Sequence, residues 1–186
     1  MTLTEIYKDA EDRMQKSAEH VGHELMRIRT GRATPELLDI VKVDYYGSTV
    51  PLNQVATITT PEPRLLVIQP WEKRMIGEIE KAILQSDLGL NPANDGSVIR
   101  LPIPELSEER RQDLLKLVKK FCEEGRVAIR NIRRDLNDQI KKMEKEHEVS
   151  EDQSHTAQDE VQQLTDKYIE EINVHYERKE KEILED

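Results

Sequence analysis

Apolar residues return every three or four positions through the first thirty residues, lose that rhythm at Gly31, and recover it over a long stretch only after Ser107. In the first stretch they are Leu3, Tyr7, Ala10, Met14, Val21, Leu25 and Ile28, with Ser17 in a small-residue slot. That spacing is one face of a helix. Thr2 with Glu5 makes a capping-box pattern at its start, and Gly31 suits a C-terminal cap. A first helix is therefore expected over about 3–30. Ser107, followed by Glu108 and Glu109, reads as the N-cap of a second helix. Its stripe is Leu114, Val118, Phe121, Gly125, Ile129, Ile132, Leu136, Ile140 and Met143. Ser150 with Gln153 opens a third, with Ala157, Val161, Leu164, Tyr168, Ile172, Tyr176 and Ile183 on one side. Each stripe is apolar on one face only, so the three helices are expected to bury it against one another. The short break at 147–150 makes the second and third antiparallel.

Between the helical stretches the period shortens. "LLDIVKVDYYGSTVPL" alternates in the manner of strands around a turn at Tyr46-Gly47-Ser48. "VATITT", "RLLVIQPW" and "SVIRLPI" read as further strands, residues 72–87 as one amphipathic helix, and "LNPANDGS" as turns. The expectation is α+β overall. A long three-helix bundle, residues 1–30 and 106–186, carries an inserted small β-rich α+β domain, residues 31–105. Two strands of linker, "TGRATP" and "RLPIPEL", join them. Gly31 is expected at positive φ, while Pro102 and Pro104, ahead of Glu105, hold the returning strand extended.

Charge is divided along the chain more sharply than its total suggests. The 186 residues carry 28 basic and 38 acidic side chains, net −10. Residues 110–145 hold 12 basic and 6 acidic groups, whereas residues 146–186 hold 4 and 14. Within "RVAIRNIRRDLND", at 126–138, stand Arg126, Arg130, Arg133 and Arg134. At 100° per residue, Lys119, Arg126, Arg130 and Arg133 form a row turned by roughly 110° from the apolar stripe, and Asn137 continues it. Two readings are open. The row is a solvated face paired with Asp135, Asp138 and the glutamates of the third helix, or it is a phosphate-binding surface using forked guanidinium donors. Arg27, Arg29 and Arg32 would extend the second.

Other chemistry is sparse. There is no glycine-rich phosphate loop and no paired-cysteine metal pattern. His20 and His23 read as a solvated pair, His147 and His155 as polar loop residues, and Trp71, Phe121 and Cys122 as packing residues. No run approaches the roughly 20 apolar residues of a membrane helix. The N-terminus has neither signal nor transit character. A single cysteine allows no internal disulfide framework. A soluble, cytoplasmic, non-enzymatic protein without cofactor or metal is expected.

"IRTGRATPELLD" at 28–39, "SDLGLNP" at 86–92, "LSEERRQDL" at 106–114, "RVAIRNIRRDLND" at 126–138 and "SEDQSHTAQDEVQQLTD" at 150–166 resemble the bacterial ribosome recycling factor family. The resemblance covers the whole chain. It implies a three-helix rod with a hinged α+β domain in an L shape like that of transfer RNA, acting as a monomer. It also implies binding to the post-termination ribosome, against large-subunit ribosomal RNA. With elongation factor G and GTP, the subunits would then separate, with release of messenger RNA and tRNA. By the same resemblance Arg130 and Arg133 sit at RNA-contacting positions, and Arg29 and Arg32 match basic residues at the end of the first helix. Arg126 and Arg134 are added by proximity. "KFCEEG" at 120–125 carries nothing over. The rival reading is a helical structural or chaperone-like interaction protein.

Overall fold

The computed structural model describes residues 1–185. They form two compact units, one of residues 1–29 with 108–185 and one of residues 30–107.

In the first unit α1 (Leu3–Met26), α3 (Glu108–Lys145) and α4 (Glu151–Leu184) pack pairwise as a bundle. At 38 residues α3 is roughly 57 Å long. Both expected capping boxes form: Thr2 Oγ1 accepts from Glu5 N, Ser150 Oγ accepts from Gln153 N, and each partner carboxylate or amide reaches back. Such caps satisfy backbone donors that have no partner within the helix. The turn from α3 to α4 is closed by His147 at φ 58. His147 N–H donates to Glu144 O and Glu148 N–H to Met143 O, the paired bonds of a Schellman ending.

The buried faces are centred differently from the expected stripes. On α1 they are Ile6, Ala10, Met14, Ala18, Val21 and Leu25, with Leu3, Tyr7 and Ser17 only half-buried. On α3 Cys122 is buried and Phe121 is half-buried; on α4 Thr165 replaces Leu164. A helix that must face two neighbours buries a wedge, and close approach favours small residues at its centre. Gly125 shows how close: a Cβ there would lie 2.3 Å from Val21 Cγ2. Thr165 tolerates burial because its hydroxyl donates to Val161 O at 2.7 Å within its own helix.

α1 stops at Met26, short of the expected 30, with Arg27 as C-cap. Gly31 does take positive φ, at 80°, but four residues beyond that cap, so it bends the connection and does not end the helix.

In the second unit, β1 (Lys42–Tyr45) and β2 (Ser48–Pro51) form a hairpin whose two-residue turn places Tyr46 at φ 52 and Gly47 at φ 81. Both central residues at positive φ match the twist of antiparallel strands. A four-stranded antiparallel sheet follows the order β3 (Ala56–Glu62), β4 (Leu65–Pro70), β6 (Ile99–Pro102), β5 (Ala93–Asn94). The short β5 lies in the stretch expected to be turns only. The helix expected at 72–87 is α2 (Ile76–Gln85), entered through a 3-10 turn at Lys73–Met75. Leu66, Ile68, Ile99 and Leu101 from the sheet meet Ile79 and Ile83 of α2, with Leu38, Val41, Val43 and Leu52 closing the core. Trp71, expected inside, is 64% exposed; its indole N–H donates to Thr57 Oγ1 at 2.9 Å on the outer surface. Satisfying that donor at the surface avoids burying it.

Candidate nucleic-acid interface

Arg126, Arg130, Arg133 and Arg134 fall within roughly 100° of arc on α3. The row has a sheltered side and an open side. Arg126, with a side chain 21% exposed, donates through Nε to Asn173 Oδ1 of α4 at 2.9 Å. Arg133 donates through Nη1 to Gln162 Oε1 of α4 at 3.2 Å. Arg130 lies further out and bonds Glu123 Oε1 at 2.6 Å, while Arg126 Nη1 meets the other oxygen of that carboxylate at 3.3 Å. Arg134 and Lys119 are exposed.

Of the four guanidiniums, those of Arg126 and Arg130 share one carboxylate, that of Glu123 on α3 itself, and Arg133 meets an amide instead. Arg130 in the first place, and Arg126 after it, hold the Glu123 carboxyl below its ordinary range. The carboxylates of α4 do not reach the row. Asp135, beside the row in sequence, is taken instead by Arg13 of α1 at 2.7 Å. Of the two open readings, the one that pairs the row with Asp135, Asp138 and the glutamates of the third helix is thus not what the side chains do. Positive charge stays largely uncompensated on this face, in donors suited to phosphate.

Of the remaining expected site residues, Arg29 belongs to the bundle unit and Arg32 to the inserted unit, and both are exposed. Pro102 lies within β6, opposite Leu65. Ala33 N–H donates to Pro63 O and Ile103 N–H to Arg64 O, each at 2.8 Å, and Glu105 forms an ion pair with Arg64. Both connections are thus tied to the β3–β4 turn. His20 and His23 are exposed on α1, and His155, expected in a loop, lies in α4 beside Glu151. Cys122 is buried, which pushes its thiol up. Among the described residues no group of histidine, cysteine and carboxylate side chains is arranged to hold a metal, and no helix is long and apolar enough to cross a membrane.

Sequence periodicity located the arginines but missed Asn173 and Gln162, which lie outside the apolar stripe of α4 and carry no charge. Their only signal is neutrality within a helix dense in acids.

Residues 21–184 match the family described as ribosome recycling factor. The chain belongs to that family. A ribosome-recycling factor of Symbiobacterium thermophilum is 62% identical over 97% of this chain and 98% of its own length. One from Carboxydothermus hydrogenoformans is 58% identical over 98% of each. A solution structure of a ribosome recycling factor covers all of this chain and 99% of its own, at 45% identity and a TM-score of 0.74. A T. thermophilus ribosome recycling factor, placed with E. coli elongation factor G on the E. coli post-termination complex, shares 52% identity with a TM-score of 0.64. That structure matches 99% of this chain and 100% of its own. The chain is a translation factor of the recycling-factor family and not an enzyme.

Proposed function

We propose that this chain binds the post-termination ribosome in the cytoplasm and, with elongation factor G and GTP, promotes its separation into subunits, releasing messenger RNA and tRNA. The observation that carries the reading is the full-length likeness to a recycling factor placed with elongation factor G on that complex. The arginine face of α3 supplies the contact to large-subunit ribosomal RNA, with Arg130, Arg133, Arg126 and Arg134 on phosphate. Arg29 and Arg32 add to it from the end of the first helix and the connection that follows. Support comes from the chemistry of the face: four guanidiniums, one carboxylate, and neutral partners on the neighbouring helix. An acidic body repels RNA everywhere else, which turns a strong but unselective attraction into a single docking face.

The inserted unit turns about the connections at Gly31 and at Pro104 and Glu105 as the subunits part, while Pro102, paired within β6, moves with the unit. Gly31 at φ 80 permits a bend that a β-branched residue resists. Gly31→Val is expected to keep ribosome binding and lose splitting; undiminished splitting would take the pivot away from this residue. The function itself is tested by sedimenting post-termination ribosomes with this chain, with and without elongation factor G and GTP. Subunits should appear only when all are present, and intact ribosomes under every condition would refute the proposal.

A further inference from the structure

Residues 146–186 hold 14 acidic side chains, yet among the described residues of this stretch the two that hydrogen-bond the arginine row are amides. Each amide is the middle of a three-part chain. Gln162 accepts from Arg133 through Oε1 and donates through Nε2 to Asp166 Oδ1 at 2.8 Å. Asn173 accepts from Arg126 through Oδ1 and donates through Nδ2 to Glu170 Oε2 at 3.3 Å. The direction of both chains is forced. A guanidinium only donates and an ionised carboxylate only accepts, so the carbonyl end must face the arginine and the NH2 end the acid. A flipped amide would lose both bonds at once.

The arrangement separates two things that an ion pair would combine. A carboxylate at either amide position would hold its arginine firmly, but its charge would cancel the guanidinium, and an incoming phosphate would have to displace it. A carbonyl holds the side chain through one N–H and adds no charge of its own. At Arg133 the remaining donors are left in place, while at Arg126 Nη1 also meets Glu123 Oε2 at 3.3 Å. The acids stand one residue removed, where they orient the amide. Ordering a long side chain before docking removes part of the entropy that docking would otherwise cost.

We infer that Gln162 and Asn173 are positioning residues for RNA binding, holding Arg133 and Arg126 in place without neutralising them. The inference rests on the proposed role of the arginine face. Its test compares Arg133→Ala, Gln162→Ala, Gln162→Glu and Asn173→Asp by ribosome sedimentation over a range of salt, with thermal unfolding of each. Arg133→Ala should weaken binding by about tenfold or more and make the salt slope shallower by about one unit. Gln162→Ala should weaken binding by roughly two- to tenfold with the slope kept, because the charge remains. Gln162→Glu should melt where the parent does, yet lose affinity and slope as Arg133→Ala does. Asn173→Asp should repeat that pattern at the second chain. If Arg133→Ala binds like the parent, the RNA reading of the row falls, and this inference with it. If Arg133→Ala weakens binding while folded Gln162→Glu and Asn173→Asp bind like the parent, the positioning role alone is overturned.

Discussion

The inserted unit fills its interior with Leu66, Ile68, Ile79, Ile83, Ile99 and Leu101, while the bundle brings its helices together over Ala10, Ala18, Cys122, Gly125, Ser154 and Ala157. Bulk burial dominates the first: large aliphatic side chains from a sheet meet a short helix, and stability tracks the volume removed from water. Close approach dominates the second. Three long helices share a thin interior, so each gains contact by letting backbones come near and spends its outer surface on charge. The bundle is accordingly where the arginine row, its amide partners and the Arg13–Asp135 pair lie. The inserted unit breaks when volume is removed; the bundle, which also buries Ile6, Met14, Ile129 and Leu136, breaks in addition when volume is added at its close contacts.

Leu66→Ala and Gly125→Val test that contrast directly and should have the largest effects. Leu66 is fully buried, and its truncation should cost about 2–5 kcal/mol. At Gly125 a Cβ would sit 2.3 Å from Val21 Cγ2 and 3.1 Å from Ile172 Cδ1, neither of which can yield freely. Gly125→Val should destabilise the bundle by about 1–3 kcal/mol or more. The chain's single tryptophan, Trp71, is in the inserted unit, whereas helical ellipticity comes mainly from α1, α3 and α4. Leu66→Ala should therefore shift the tryptophan transition and Gly125→Val the ellipticity transition. If either variant moves both transitions together, the two units do not unfold independently.

The same contrast explains what the sequence could convey. Strand alternation and the hairpin turn were legible because Gly47 marks a position of positive φ, though Tyr46 beside it carries no such mark, and because Leu, Ile and Val announce a bulky core. The bundle's helices were equally legible as helices, but the centres of their buried faces were not. Cys122 and Thr165 are weakly hydrophobic or polar, so hydropathy passes over them for Phe121 and Leu164 at the margins, and the three-four spacing takes Ser17 in place of Ala18. Only the distance between helices, set by residues far away in sequence, decides which wins. His147 ends α3 without the glycine that marks such endings. The arginines were legible by charge; Gln162 and Asn173 were not, since their role lies in having none.

A smaller difference should appear at the two ends of the pH range. In the bundle, Tyr176 donates to Glu180 Oε2 at 2.5 Å, and that bond, with burial, pushes the phenol up to about 12. Its folded value exceeds the ordinary value of 10, so the stabilisation is complete below pH 10 and disappears as pH rises toward about 12. Tyr176→Phe should flatten the alkaline loss of helical ellipticity in that window. Burial also raises Tyr7 and Tyr168 in the bundle, and Glu72 raises Tyr45 in the inserted unit, so the variant removes one contribution among several and flattens the limb only in part. In the inserted unit, Val98 N–H, then Arg100 and Ser97 N–H, hold the Asp95 carboxyl well below the usual carboxylate range. That contribution is present above about pH 4 and is lost as pH falls below it. Asp95→Asn should flatten the acid limb seen by Trp71 and leave the alkaline limb alone. An Asp95→Asn profile identical to the parent's in acid would show that this turn does not report on the unit's stability.

The smallest expected effect concerns the acid that adjoins the arginine row in sequence. Asp135 follows Arg133 and Arg134 in sequence, yet its carboxylate bonds Arg13 of α1 at 2.7 Å, with both side chains more than a third exposed. Exposed pairs of this kind contribute about 0.2–1 kcal/mol, since water screens the attraction and ordering two side chains costs entropy. Asp135→Asn should therefore lower bundle stability by less than about 1 kcal/mol. A double-mutant cycle with Arg13→Ala should return a coupling in the same range, found in the ellipticity transition and absent from that of Trp71. The pair matters less for stability than for where it places a negative charge. While Arg13 holds Asp135 toward α1, the acid does not compete with phosphate for Arg133 or Arg134. Arg13→Ala alone should then weaken ribosome binding modestly, and adding Asp135→Asn should restore it. Binding unchanged by Arg13→Ala would mean that Asp135 has no reach into the row even when released.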